Sequence, residues 1–283
     1  MTMNMNRYIR RLTLVLLVAV SGAMAEDGVS NTNNVKSEAE TAARELANPN
    51  TAYASLNFKF QHFSGYESGG TSFNTTFQPV LPFPLDNGDK VIFRPAITYM
   101  SNDFDVVGHE VDSGVSDISF DLAYATSFAG DPTNLIAVGV LATVPTGSES
   151  VTGDQFAVGP ELFVAKLSSQ RIVGAFNTHQ WGINNNGTKD DVNRTGVQLL
   201  WVEIASGGWT YGSTPQMSYD WNTNQAEIPL NFMVSKTTII SGRPWKFAIE
   251  ANYYLEKDEK SRPDFMLGFN VSPVVENKLA NLF

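Results

Sequence analysis

Between Ser72 and Tyr99 the chain alternates apolar and polar positions one for one. Phe73, Thr75, Phe77, Pro79 and Leu81 fall on one face, and Asn74, Thr76, Gln78 and Val80 on the other. After a break at Pro82–Asp89 the pattern resumes. Val91, Phe93, Pro95, Ile97 and Tyr99 share a face, opposite Ile92, Arg94, Ala96 and Thr98. A period of two is the signature of strands, whose successive side chains point to opposite faces. The break holds Pro82, Pro84, Asp86, Asn87 and Gly88, which are turn formers. The stretch therefore predicts a long antiparallel hairpin with one greasy aromatic face and one mixed face that carries an arginine.

The same unit recurs to the end of the chain. Leu56, Phe58 and Phe60 oppose Asn57, Lys59 and Gln61; Phe156, Val158 and Leu162 oppose Ala157, Gly159 and Glu161; Phe247, Ile249 and Tyr253 oppose Lys246, Glu250 and Asn252. Two stretches leave their facing open: Leu135–Val144, which is apolar on both faces, and Ile172–Trp181. The sum is about twelve strands of roughly ten residues, the length a tilted strand needs to cross a bilayer. Connections alternate between tight turns (AGDPT, SSQ, SGG, SGR) and long polar loops rich in Gly, Asn and Asp, such as Ser101–Gly114 and Asn184–Asn193. That alternation is the pattern of an outer-membrane barrel.

Charge placement separates membrane from water. Lys59, Arg94, Asp117, Asp121, Glu161, Lys246 and Glu250 avoid the aromatic face. Tyr53, Trp181, Trp201, Trp209, Tyr219, Trp221, Trp245 and Tyr253 sit on or beside that face near strand ends, as interfacial girdles would. A soluble sandwich would show the reverse order, polar outside and apolar in. A sheet in lipid has no partner for an open edge, so it must close. The predicted fold is all-β: a transmembrane antiparallel up-and-down β-barrel of about 12 strands with a short N-terminal helix.

The N-terminus predicts export. Arg7, Arg10 and Arg11 precede the short apolar run Leu12–Val20, and Ala23-Met24-Ala25 forms an A-x-A cleavage pattern, so residues 1–25 read as a signal peptide. Residues 26–50 read as a periplasmic leader. Within it, Val35–Ala47 has helical spacing, with Ser37 and Glu40 as a capping box and Asn48-Pro49 as a stop. This helix is expected to act as a plug or to dock loosely as a leader. Residues 51–275 would be the barrel and 276–283 a tail.

Composition removes several function classes. The 283 residues carry a formal net charge of −10 and no Cys. No basic patch offers itself to phosphate, so nucleic acid is not an expected partner. Disulfides, thiol catalysis and Cys-ligated metals are excluded. Of the three His, His62 is expected near a rim and His109 in a long loop; His179 has no Ser at catalytic spacing and G-x-S-x-G is absent. The Asp/Asn-rich stretches Asp86–Asp89 and Asn184–Asp191 do not follow a calcium-loop pattern. No catalytic residue, cofactor or metal site is expected. The expected lumen lining is Arg94, Asp117, Asp121, Gln78, Glu161, His179, Gln198 and Glu250. Arg94 with Asp117 and Asp121 would form either a charge filter or an interior neutralisation.

An ordered series of stretches resembles the outer-membrane transporter family of the MetA-pathway of phenol degradation. It runs through ELANPNTAYASLNFKFQ (45–61), FQPVLPFPLDNGDKVIFRPAI (77–97), SGVSDISF (113–120), VPTGS with FAVGPELFV (144–148, 156–164), NTHQWG (177–182), GGWTYGSTPQMSYDW (207–221) and IPLNFMVSK (228–236). The resemblance covers nearly the whole chain after residue 44. It implies passive passage of small, hydrophobic or aromatic solutes across the outer membrane, with outer-membrane lipid and the outer-membrane assembly machinery as partners. One departure is the end of the chain: VENKLANLF (275–283) runs on past the last strand, and Phe283 does not continue the alternation. Alternative readings are a barrel enzyme acting on lipid and a structural or adhesive barrel.

Overall fold

The computed structural model describes residues 29–48, 51–103, 112–183, 191–259 and 261–282. The chain divides at Val35. Met1–Val35 is one unit, of which the described part is the start of helix α1 (Val29–Ala47). Lys36–Phe283 is the other, and it is a closed antiparallel barrel of twelve strands.

The strands are β1 (Ala54–Ser64), β2 (Thr71–Pro84), β3 (Lys90–Asp103), β4 (Asp112–Val115 continued by Ile118–Phe128), β5 (Asp131–Val144) and β6 (Phe156–Leu167). They are followed by β7 (Arg171–Ile183), β8 (Asn193–Ile204), β9 (Trp209–Ser213 continued by Gln216–Asp220), β10 (Gln225–Ile240), β11 (Arg243–Glu256) and β12 (Phe265–Val275). Each pairs with its chain neighbours, and β1 pairs with β12 to close the ring. Closure leaves no unpaired edge. At one end the connections are short. Two of them, at Ala129–Gly130 and Ser241–Gly242, have positive φ at both central residues, the type I′ geometry that matches strand twist.

Two strands are interrupted for different reasons. In β4, Val115 pairs with Tyr99 but Ser119 pairs with Ala96, so an extra residue is accommodated at Ser116–Asp117, a β-bulge. In β9, Ser213 pairs with Trp201 and Gln216 with Gln198, so the register is kept. There the ladder is only broken, beside Pro215, which has no N–H to give.

Strand parity fulfils the predicted segregation of faces. Leu230, Leu255, Phe232 and Leu267 on the outward face are each more than half exposed. Trp181, Tyr219, Trp221 and Tyr253 ring the long-loop end, and Trp201, Trp209 and Trp245 the short-turn end. The outward charges Arg171, Glu203 and Lys236 lie near the short-turn rim, where Arg171 covers the ring of Trp201 and Lys236 that of Trp209. The two stretches of open facing are resolved: Leu135, Ala137, Gly139, Leu141 and Thr143 point inward on β5, and Ile172, Gly174, Phe176, Thr178 and Gln180 on β7.

The interior is not polar throughout, as the alternation alone suggested. Ile92, Ala123, Ala125, Leu135, Ala137, Phe163, Ala165 and Leu200 form a buried apolar cluster inside the β3–β8 wall, toward the short-turn end. The helix also differs from expectation. It starts at Val29, so Ser37 lies within it and is not its cap. Glu40 is engaged elsewhere, accepting a hydrogen bond from Gly207 N at 2.5 Å. The helix stops where Asn48-Pro49 predicted, after Ala47. The tail forms a 3-10 turn (Lys278–Leu282), and Asn277 Nδ2 donates to Pro82 O at 2.7 Å. The expected signal peptide, His109 and residues 184–190 of the loop Asn184–Asp191 lie outside the described residues.

Candidate functional site: the barrel lumen

The lumen holds a cavity of about 780 Å³. Its lining is mainly amide, hydroxyl and charged: Asn57, Lys59, Gln61, Gln180, Gln216 and Asn252 are typical. Phe63, Leu141, Phe176, Met233 and Met266 supply apolar surface within it. Among the expected lining residues, Gln78, Gln198 and Glu250 border this cavity. Gln78 Oε1 accepts from Lys59 Nζ at 2.7 Å, and Glu250 Oε1 accepts from Asn231 Nδ2 at 2.7 Å.

Arg94, Glu161 and Gln198 border a second cavity of about 60 Å³, set into the β3–β8 wall beside the apolar cluster. Arg94 donates from Nε to Asp121 Oδ1 at 2.7 Å, and Asp121 is buried. The adjacent-strand pairing Arg94↔Asp121 sets this contact. The guanidinium also reaches over the ring of Phe176 on β7, 5.2 Å from its centroid.

Two expected lining residues are elsewhere. The bulge at Ser116–Asp117 turns Asp117 away from Arg94. Its carboxylate instead accepts from Gly147 N (2.9 Å), Thr152 Oγ1 (2.6 Å) and Gly153 N (2.8 Å), and so organises the long loop between β5 and β6. His179 shares its parity with Trp181 and faces outward. Its Nδ1 lies 2.8 Å from Thr195 Oγ1, its ring packs on Trp181, and its Nε2 is buried with no hydrogen-bond partner among the described residues. A His–hydroxyl pair without a third, orienting group lacks part of the nucleophilic constellation. Among the described residues no cluster of three or more metal-ligating side chains occurs. At Asp86–Asp89 ordinary turn chemistry holds, with Asn87 Oδ1 accepting from Asp89 N at 3.1 Å. Hydrogen bonds from Thr126, Tyr124 and Asn87 hold the Asp89 carboxyl below its ordinary range.

The sequence reading missed two lumen features. Arg194 NH2 donates to Glu227 Oε2 at 2.9 Å, with Arg262 Nε 3.8 Å from the same oxygen, at the long-loop mouth. Asn231 bridges a gap in the wall: Oδ1 accepts from Thr214 N at 2.6 Å, and Nδ2 donates to Glu250 and Asn252. An amide at an inward position of IPLNFMVSK was the available signal. Helix α1, expected as a plug or a loosely docked leader, engages the short-turn end. Ala39, Ala42 and Ala43 are buried, a Cβ on Gly208 would meet Ala39, and Lys246 Nζ donates to Leu46 O at 3.2 Å. That carbonyl lies in the last turn of the helix, where carbonyls lack intrahelical partners and cations are favoured.

An apolar exterior around a polar, bridged lumen defines a membrane-type β-barrel. A known structure shares this fold. An outer membrane channel from Pseudomonas putida F1 superposes with a TM-score of 0.60 at 15% identity, over 79% of this chain and 95% of that one. The NanC porin gives 0.49 at 12% identity, over 78% and 99%. The outer membrane phospholipase A from Escherichia coli gives 0.43 at 10% identity, over 84% and 98%. At 15% identity the likeness to the channel is one of fold alone. No family model and no curated protein matches the chain, so the transporter family rests on its motifs alone.

Proposed function

We propose that this protein is an outer-membrane channel for passive passage of small solutes, with helix α1 as a plug at the periplasmic mouth. The observation that carries this reading is a polar cavity of about 780 Å³ inside a closed barrel whose exterior is apolar. The short turns, with the start of β1 and the end of β12, then lie in the periplasm, and the long loops outside. Export and insertion would use the predicted signal peptide and the outer-membrane assembly machinery. The solutes fit the cavity by being small. The lining favours those with hydrogen-bonding groups, while Phe176, Leu141, Met233 and Met266 give an apolar or aromatic portion somewhere to pack. The plug role is supported by the Glu40–Gly207 and Lys246–Leu46 bonds, which join the helix to the short-turn end. The enzyme reading is not adopted, because His179 meets one hydroxyl and no orienting group.

The test is swelling of liposomes carrying the purified protein, in graded sugars and small aromatics, with and without residues 26–49. Swelling for the smallest solutes that rises on truncation is the expected result. Vesicles that stay tight in both cases overturn the channel, and swelling unchanged by truncation overturns the plug.

A further inference from the structure

We propose that the small cavity in the β3–β8 wall is a subsite for the ammonium group of a cationic organic solute, seated on Glu161. The inference deepens the channel reading, because a subsite on the lumen wall matters only to solutes that enter the lumen.

Glu161 is 4% exposed, and both of its carboxylate oxygens are buried without a hydrogen-bond partner among the described residues. A buried charge is normally paired, since leaving it alone costs several kcal/mol. The neighbouring cation does not serve. Arg94 is held by Asp121 at 2.7 Å and turned onto Phe176. These two charges cancel, and the carboxylate of Glu161 remains as the uncompensated group of the trio. The opposite position on β5 is Gly139, where a Cβ would lie 2.8 Å from Glu161 Oε1. The wall is thus recessed under the carboxylate.

The cavity in front of it is about 60 Å³. That is room for a few waters at ~10–15 Å³ each, or for one methylammonium-sized head. Its other walls select the kind of cation. Phe163 and Phe176, with ring centroids 6.4 Å apart, are aromatic faces that attract cations. Ile92, Ala137 and Leu200 are aliphatic, which suits an organic cation better than a strongly hydrated metal ion. Gln198 adds an amide oxygen as a second acceptor. Phe176 and Gln198 line both cavities, so they form the partition through which the subsite meets the main lumen.

The experiment is calorimetric titration of the full-length protein in detergent micelles with ethylammonium, ethanol and acetate. Heat-modifiable mobility on gels verifies folding of each variant. Saturable binding of ethylammonium alone is expected, weakened at least about tenfold by Glu161→Gln, which keeps shape and removes charge. Phe176→Leu keeps Glu161 and should weaken binding several-fold through the lost ring. No saturable binding, binding unchanged in Glu161→Gln, or ethanol bound as well as ethylammonium overturns the proposal and leaves water as the occupant. The readout does not need conduction. Glu161-dependent binding beside tight vesicles would remove the channel and keep the subsite, and swelling without binding would do the reverse.

Discussion

Asn231→Leu isolates what holds the wall together where backbone pairing fails. Strand β9 pairs with β10 at Trp209–Gly212 and again at Ser218–Asp220, and the stretches 213–217 and 228–232 between carry no ladder to each other. Asn231, 5% exposed, occupies that gap. Its side chain makes three bonds: from Thr214 N at 2.6 Å, to Glu250 Oε1 at 2.7 Å and to Asn252 Oδ1 at 2.6 Å. Leucine keeps the number and branching of the heavy atoms and removes all three. The bond to a carboxylate is worth about 1.5–3 kcal/mol, the amide–amide bond about 1, and the stranded N–H of Thr214 costs about 1–3. Burying the leucine returns about 2 kcal/mol. The expected loss is therefore roughly 3 kcal/mol. Urea titration of protein folded into phospholipid vesicles, followed by Trp fluorescence, measures it. Asn252→Ala is the control and should cost about 1 kcal/mol. A loss below about 1 kcal/mol for Asn231→Leu would refute the bridge and mean that the strands hold without it.

Two further outcomes probe the exterior and the lumen. Leu230→Arg, at an outward position near mid-wall, should cost about 2–4 kcal/mol in the same assay; a near-neutral result would mean that this face does not meet lipid. Arg94→Met and Asp121→Leu should each cost about 3–5 kcal/mol by stranding a buried partner, whereas the double variant should lose far less than the sum. Losses that simply add would deny the coupling.

Parity made most of the barrel legible. Inward and outward sets on β1, β2, β3, β6, β11 and β12 could be read because charged or amide residues alternate with aromatic ones there. It was silent on β5 and β7, where inward Leu135, Ala137, Leu141, Ile172 and Phe176 look like outward residues. That is also why the apolar cluster inside the barrel went unseen: Ala123, Ala125, Leu135, Ala137, Phe163 and Ala165 are inward apolar residues of the neighbouring strands β4, β5 and β6, and they pack beside one another with Ile92 and Leu200. His179 was misplaced for the same reason. Polarity suggested the lumen, but on the outward face at the long-loop end a His is accommodated by Thr195 and Trp181. Asp117 was misplaced by a bulge, which no alternation count reveals. The helix was legible as an element, and its true start lay upstream because Val29–Asn34 offers no apolar spacing to mark it.

The short-turn end is occupied by two different devices, and this shapes what truncation should do. On the β3–β8 side the filling is side chains of the wall itself: Ile92, Ala125, Leu135, Phe163 and Leu200. On the β9–β11 side it is helix α1, met by Gly207, Gly208 and Lys246. Removing residues 26–49 takes away only the second. If the helix is the plug, the truncated barrel should still carry the Arg94–Asp121–Phe176 cluster and its apolar floor, and so remain narrower than its twelve strands permit. Its swelling rate should then rise for small solutes while the cut-off in solute size moves little. A truncated protein that admits large sugars would place the restriction in the helix alone and strip the wall cluster of any part in selection.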